Sequence, residues 1–318
     1  AEPDHSGGFL KFMKDYPNAR PYASNAGVGI MLKQYFKSYD FQRVKTGDTL
    51  STGRYTLTFV EMPMIHWPDN MLTYVAEQKI AFSNDAFGQH IASYDIFDDA
   101  HGAAKCIDRA KDYYANIVMP YGMQVANKLK QIQDMNLDID MIAPAHGIIW
   151  RSYLPELFQA YEDFATFKAV DKAVIVYESV WKHTQMMAEA LAEGMGRNGI
   201  CVKIFKCSMT SPAIIQKELL DAKAVLVGSG NYNNAMAGSI AAFLEKLITC
   251  KVKNKKGLGF GSYGWANLVT KEINARLGKA GITLLNDEVV SQNYTPSEAD
   301  LDALMELGKQ IAEEIKAM

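Results

Sequence analysis

The sequence has 318 residues, 48% of them hydrophobic and 22% charged, with a formal net charge of -3. That balance describes about two globular domains, each with its own core. The slight acidity excludes the basic footprint of a nucleic-acid binder, and no run is long and apolar enough to span a membrane.

The four cysteines, Cys106, Cys201, Cys207 and Cys250, form no C-x-x-C pair. This argues against a zinc ribbon or another paired-thiolate metal module and fits free thiols in a reducing cytoplasm. The opening AEPDHSGGFL lacks a charged region followed by an apolar run, so it does not read as a signal peptide.

The chain starts Ala1-Glu2-Pro3-Asp4-His5-Ser6-Gly7, with three potential metal ligands in four positions on a segment read as a loop. Strand-like runs follow at Tyr55–Glu61 and Ile80–Ser83, then one helical stretch from Ala103 to Gln133. His66 lies in MIHWPD, Asp85 in SNDAFG and His146 in APAHG. Each comes just after an apolar strand-like run, and residues at strand ends converge readily on one site. A lone histidine in a turn is more often structural than a ligand. As a set, Glu2, Asp4, His5, His66, Asp85 and His146 give three imidazoles and three carboxylates, with gaps of 61, 19 and 61 positions from His5 onward. Zinc hydrolases favour neutral imidazoles and an activated water, whereas carboxylate-rich sites with some imidazole suit iron. His90 is a candidate for a supporting place beside the ligands, Asp69 for a turn role or for orienting His66, and His101 for an ordinary surface position.

Near Lys168 the pattern changes. Apolar runs at Ala173–Tyr177, Val202–Phe205, Ala224–Gly228, Gly257–Gly261 and Ile282–Val290 alternate with amphipathic stretches near 184–197, 211–221, 234–249, 267–280 and 297–316. Five strands alternating with five helices predict a doubly wound parallel sheet, with its ligand at the carboxyl ends of the strands. Three loops sit there. Ser179-Val180-Trp181-Lys182-His183-Thr184 is hydroxyl-rich and opens a helix, which suits a phosphate. It lacks both the G-x-G-x-x-G of a dinucleotide site and the G-K-[ST] of a P-loop, so a mononucleotide is expected. Ser229-Gly230-Asn231-Tyr232-Asn233-Asn234 and Ser262-Tyr263-Gly264-Trp265 each set an aromatic beside small residues. Tyr232 and Trp265 are placed to flank a flat ring.

The second half resembles flavodoxin, and more specifically the flavodoxin-like half of flavodiiron proteins, in which GSxxYNN and GSYGW mark the flavin loops. The resemblance implies FMN bound by these three loops, with Ser179, Trp181 and Thr184 at the phosphate. Lys182-His183 and Ala266 depart from the small residues common in the family. The first half resembles the metallo-β-lactamase-like fold, whose signature is H-x-H-x-D-H followed by His, Asp and His. Glu2 stands where the zinc hydrolases carry a second His, which is the flavodiiron variant. The sequence matches that family in order, and among its members looks similar to the rubredoxin:oxygen oxidoreductases of anaerobic bacteria.

What the resemblance implies is an αββα metallo-β-lactamase-like diiron domain over residues 1–168 and a flavodoxin-like FMN domain over 169–318. Glu2 and His66 would bind one non-haem iron, Asp4, His5 and His146 the second, and Asp85 would bridge them. The implied activity is reduction of O2 to water, of NO to N2O, or both, with electrons delivered through FMN from a separate donor such as rubredoxin. It also implies a cytoplasmic head-to-tail homodimer, the flavin of one subunit facing the iron pair of the other. The alternatives are a flavodoxin-type electron carrier with an inactive metal domain, and a zinc hydrolase fused to a flavodoxin. The family motif begins with a His ahead of Ala1, so the sequence reads as starting inside the metal motif. A sandwich lacking its first strands is expected to expose an apolar face and fold poorly alone.

Overall fold

The computed structural model describes residues 1–286 and 288–318. Two compact units divide the chain, Ala1–Ala165 and Thr166–Met318.

In the first unit, the acidic opening expected as a loop is one helical turn, α1 (Pro3–Ser6). The amides of His5 and Ser6 donate to the Glu2 carbonyl at 3.1 and 2.9 Å. Proline at the first helical position has a pre-set φ and no N–H to leave unpaired, and Asp4 faces the positive end of the turn. After it come α2 (Phe9–Asp15), β1 (Tyr22–Ala23), α3 (Asn25–Tyr35) and β2 (Gln42–Arg43). A five-stranded sheet then forms in chain order from β3 (Thr49–Ser51), β4 (Thr56–Glu61), β5 (Met71–Val75), β6 (Ile80–Asn84) and β7 (Met141–Pro144).

The strand directions place the site. β4 and β6 are each antiparallel to β5, and β7 is parallel to β6. The carboxyl ends of β4, β6 and β7 therefore lie at one end of the sheet, and the loops after them can meet. Side chains alternate across the sheet. Val60, Leu72 and Ala81 are fully buried on one face, while Phe82 on the other is 49% exposed.

The helix expected from Ala103 to Gln133 is broken. α4 (Ala103–Tyr113) runs into a π-turn over Tyr114–Val118 and a 3-10 turn over Met119–Tyr121 before α5 (Gly122–Asp134). Pro120 cannot donate to the helix ladder. Gly122 lets the start of α5 approach the end of α6 (Leu154–Ala165), where a Cβ would lie 2.7 Å from the Ala165 carbonyl oxygen.

The second unit alternates β8 (Val170–Glu178), α7 (His183–Arg197), β9 (Cys201–Lys206), α8 (Pro212–Leu220), β10 (Ala222–Ser229), α9 (Gly238–Cys250), β11 (Lys256–Tyr263) and α10 (Val269–Lys279). It ends in β12 (Thr283–Leu284), β13 (Val290–Asn293) and α11 (Glu298–Lys316). All strand pairs are parallel, in the order β12-β11-β10-β8-β9, with β13 also paired to β11. The central strands are covered on both faces, which explains their unbroken apolar runs. The run expected at Ile282–Val290 is instead two short strands on β11, separated by a stretch that includes the polar Asn286 and Glu288; residue 287 lies outside the described residues. Strand order reverses between β8 and β10, as in the flavodoxin-like class, and a ligand crevice opens at the carboxyl ends there. Among the described residues no helix is long and apolar enough to cross a membrane.

Candidate metal centre and nucleotide cleft

All six residues singled out as metal ligands come together at the carboxyl ends of β4, β6 and β7, with α1 closing the cluster. Asp85, 1% exposed, sits in the middle. Its Oδ1 lies 2.9 Å from His5 Nε2 and 3.3 Å from His146 Nε2. Its Oδ2 lies 3.5 Å from His66 Nε2. Glu2 Oε2 is 3.4 Å from His66 Nε2, and the Asp4 carboxylate is 3.5 Å from both His5 and His146. His66 thus lies near one Asp85 oxygen with Glu2 beside it, and His5 and His146 near the other with Asp4 beside them, while Glu2, His5 and Asp85 also offer ligand atoms within 4.8 Å of one another.

The main chain holds these loops rigidly. The Ala145 amide donates to the Asn84 carbonyl at 2.7 Å, and the Gln89 amide to the His146 carbonyl at 3.2 Å. Gln89 is fully buried, and its side chain pairs with the Ile148 main chain. Gly147 lies against it at φ +89, where a Cβ would fall 1.4 Å from Gln89 Oε1. The Trp150 indole, also fully buried, donates to the Phe87 carbonyl at 2.9 Å.

In the second unit, the loops after β8, β10 and β11 surround a cleft of about 480 Å3. Every residue predicted from those loops lines it except Lys182, Ser229, Asn233 and Asn234. Lys182 caps α7 in the left-handed region, φ 68. Ser229 lies beneath the cleft, its hydroxyl accepting the Ala237 amide at 3.0 Å. Asn233 and Asn234 turn the second loop with φ of 50 and 65, a conformation asparagine tolerates. The buried Thr184 hydroxyl shares a hydrogen bond with Ser262 at 3.1 Å, joining the first loop to the third. Trp181 and Trp265 stand at the rim, 80% and 87% exposed. His183 shares a hydrogen bond with Thr295 at 3.0 Å.

Residues 1–147 match the ODP family beta lactamase and residues 175–308 match the Flavodoxin family. A nitric oxide reductase of Moorella thermoacetica is 42% identical over 316 residues, covering 99% of this chain and 79% of the relative. The flavodiiron protein of Giardia intestinalis superposes with a TM-score of 0.93 at 26% identity, over 98% of this chain and 77% of that one. The rubredoxin oxygen:oxidoreductase of Desulfovibrio gigas superposes with a TM-score of 0.95 at 33% identity, over 98% of this chain and 78% of that one.

The chain belongs to the flavodiiron protein family.

The side chains of this flavodiiron protein fit the two groups its family implies. Among the described residues, Glu2 Oε2, His5 Nε2 and Asp85 Oδ1 are buried without hydrogen-bond partners. Buried polar atoms are costly to leave unpaired, and here their lone pairs converge, as around a cation. In the cleft, Asn231 Oδ1 is likewise a buried acceptor without a partner, suited to an N–H at the polar edge of a flat ring.

The sequence did not single out Tyr113 or Glu178 of this flavodiiron protein, and it marked His90 and Asp69 only as candidates for supporting roles. Tyr113 lies beside His146, ring centroids 5.9 Å apart; burial, with the carboxylates of Asp85, Glu2 and Asp4, drives its phenol well above the ordinary range. His90 packs its ring 5.2 Å from Tyr113 and 6.1 Å from His146. Among the described residues, the buried Oδ1 of Asp69 has no hydrogen-bond partner. Glu178, at the end of β8, accepts from the Ser179 and Ser208 amides and the Ser239 hydroxyl at 3.2, 3.0 and 3.0 Å. Its burial works to raise the carboxyl pKa, but these donors prevail and hold it low. A single acidic residue at a strand end carries no signal in sequence that would mark such a role.

Proposed function

We propose that this flavodiiron protein reduces O2 to water, NO to N2O, or both, at a non-haem diiron site with electrons delivered through FMN. The observation that carries the reading is the Asp85 carboxylate, set between Glu2 with His66 on one side and Asp4, His5 and His146 on the other. An iron pair held here would supply the redox chemistry that reduces O2 or NO, and FMN would supply electrons singly.

The chain's own residues set the conditions. Glu2 and His66 would hold one iron and Asp4, His5 and His146 the other, with Asp85 shared between them. The three carboxylates favour iron over zinc because oxygen donors stabilise the higher oxidation state. Gln89 and the loop around Gly147 fix the direction of His146. Thr184 and its loop would receive the FMN phosphate, and Tyr232 and Trp265 would flank the ring.

Residues 1–168 form the diiron domain and 169–318 the FMN domain. The protein works in the cytoplasm as a head-to-tail homodimer, and draws electrons from a separate carrier such as rubredoxin.

The test is metal and flavin analysis of the purified protein, followed by consumption of O2 and of NO with a reduced donor. Iron with FMN and turnover of either gas supports the reading. Zinc in place of iron would sink it in favour of a hydrolase, and FMN without iron would leave a flavodoxin-type carrier.

A further inference from the structure

One aromatic residue of the cleft comes from outside the three flavin loops. Tyr294, in the loop between β13 and α11, lines the cleft and is 57% exposed. Its φ is 59, a left-handed conformation that is a genuine outlier for a bulky side chain. An exposed ring recovers little burial energy to offset that strain. Such strain persists only where the surroundings enforce it, and it gathers at ligand clamps.

The surroundings here are specific. The Tyr294 amide donates to the Tyr263 carbonyl at 2.8 Å. The Asn293 side chain donates to the Tyr263 and Gly264 carbonyls at 3.3 and 2.5 Å. The Tyr294 ring lies over Gly264, 3.4 Å from where a Cβ would stand. One residue on, Thr295 shares its hydrogen bond with His183, the first residue of α7. The loop is thus fastened to the third flavin loop on one side and to the phosphate loop on the other.

We propose that Tyr294 is a further wall of the flavin cleft, contacting bound FMN, and that the His183–Thr295 hydrogen bond is a latch that positions it. The proposal rests on the reading of this cleft as an FMN site. Tyr294 is the binding residue, and Thr295 and His183 act through it. The loop does not exist as a site in the sequence, because it forms only when β13 pairs with β11.

The test is the dissociation constant of FMN from the holoprotein, read from the recovery of flavin fluorescence on dilution. Tyr294→Gly keeps the left-handed backbone and removes the ring. It is expected to weaken FMN about tenfold, the scale of a lost aromatic contact, and Tyr294→Phe is expected to restore binding. Thr295→Val is expected to weaken FMN about fivefold through loss of one hydrogen bond, with Thr295→Ser rescuing it. If Tyr294→Gly holds FMN within twofold of the parent, or if Tyr294→Phe fails to repair the loss, the ring is not a wall of the site. Equal affinity in Thr295→Val removes the latch. Absence of FMN from the parent protein itself would overturn the underlying reading as well, and separates the two failures.

Discussion

The side chain of Gln89 pairs with the main chain of Ile148 as a neighbouring strand would. Its Nε2 donates to the Ile148 carbonyl at 2.9 Å, and its Oε1 accepts the Ile148 amide at 2.8 Å. Both partners are buried. The pairing ties the loop after Asp85 to the loop after His146, across 59 positions of sequence, and so fixes two sides of the metal cluster relative to each other.

Removing that pair should cost stability and metal together. Gln89→Leu keeps the volume but leaves a buried N–H and C=O unsatisfied, a loss of about 2 kcal/mol or more. Gly147→Ala should be worse, since its Cβ would collide with Gln89 at a positive φ. Urea unfolding gives the first quantity and iron analysis the second. A Gln89→Leu protein with the parent's urea midpoint would refute the clamp.

The metal assignments predict unequal losses. Asp85 faces both groups of ligands, so Asp85→Ala should empty both positions. Among the described residues, the ion pairs of His66 are with Glu2 and with Asp85 Oδ2, so His66→Ala should lower iron by about half, since one depleted ligand group leaves the other intact. Iron content per chain in the two purified variants decides it. Equal loss in both would mean the division at Asp85 has no meaning for binding.

Thr184→Val should weaken FMN by about tenfold, the scale of a hydrogen bond to a charged group. The hydroxyl is buried and joins two flavin loops, so its loss should act on affinity rather than on the redox potential. Equilibrium titration and potentiometry separate the two effects, and unaltered affinity would remove Thr184 from the phosphate site.

Glu178 predicts an acid-dependent stability. Its folded pKa is depressed, so its contribution is present above the unfolded value of about 4.3 and is lost as pH falls through the lower, folded value. Glu178→Gln should therefore be less stable than the parent at pH 7, and the gap should narrow under acid. Urea midpoints across that range check the sign; a gap that widens on acidification would contradict it.

The central strands of the second unit and the helices between them were legible because each has its own periodicity and burial. Val174 through Val176 read as a strand from composition alone and lie fully buried in β8. The convergence of His66, Asp85 and His146 was legible because each follows a strand-like run, and strand direction then brings them together. The failures have local causes. Pro120 and Gly122 interrupt what reads as one long amphipathic helix, and Pro3 starts a turn where the acidic residues suggested a loop. Tyr294 and Gln89 were invisible for another reason. Their roles depend on pairings between segments distant in sequence, and neither residue type announces such a pairing.

The six side chains of the cluster, Asp85 among them, are gathered from a helical turn and three strand ends between positions 2 and 146. An unfolded chain offers no such cluster, so a metal ion held there is held by the folded state alone. Ligand at a hundredfold excess over its dissociation constant adds about 2.7 kcal/mol to the free energy of unfolding. Iron supply therefore sets the lifetime of the first unit as well as its chemistry. A chain made under iron starvation should be cleaved faster by proteases than one made in plenty, and a cell would clear the unloaded protein before the loaded one.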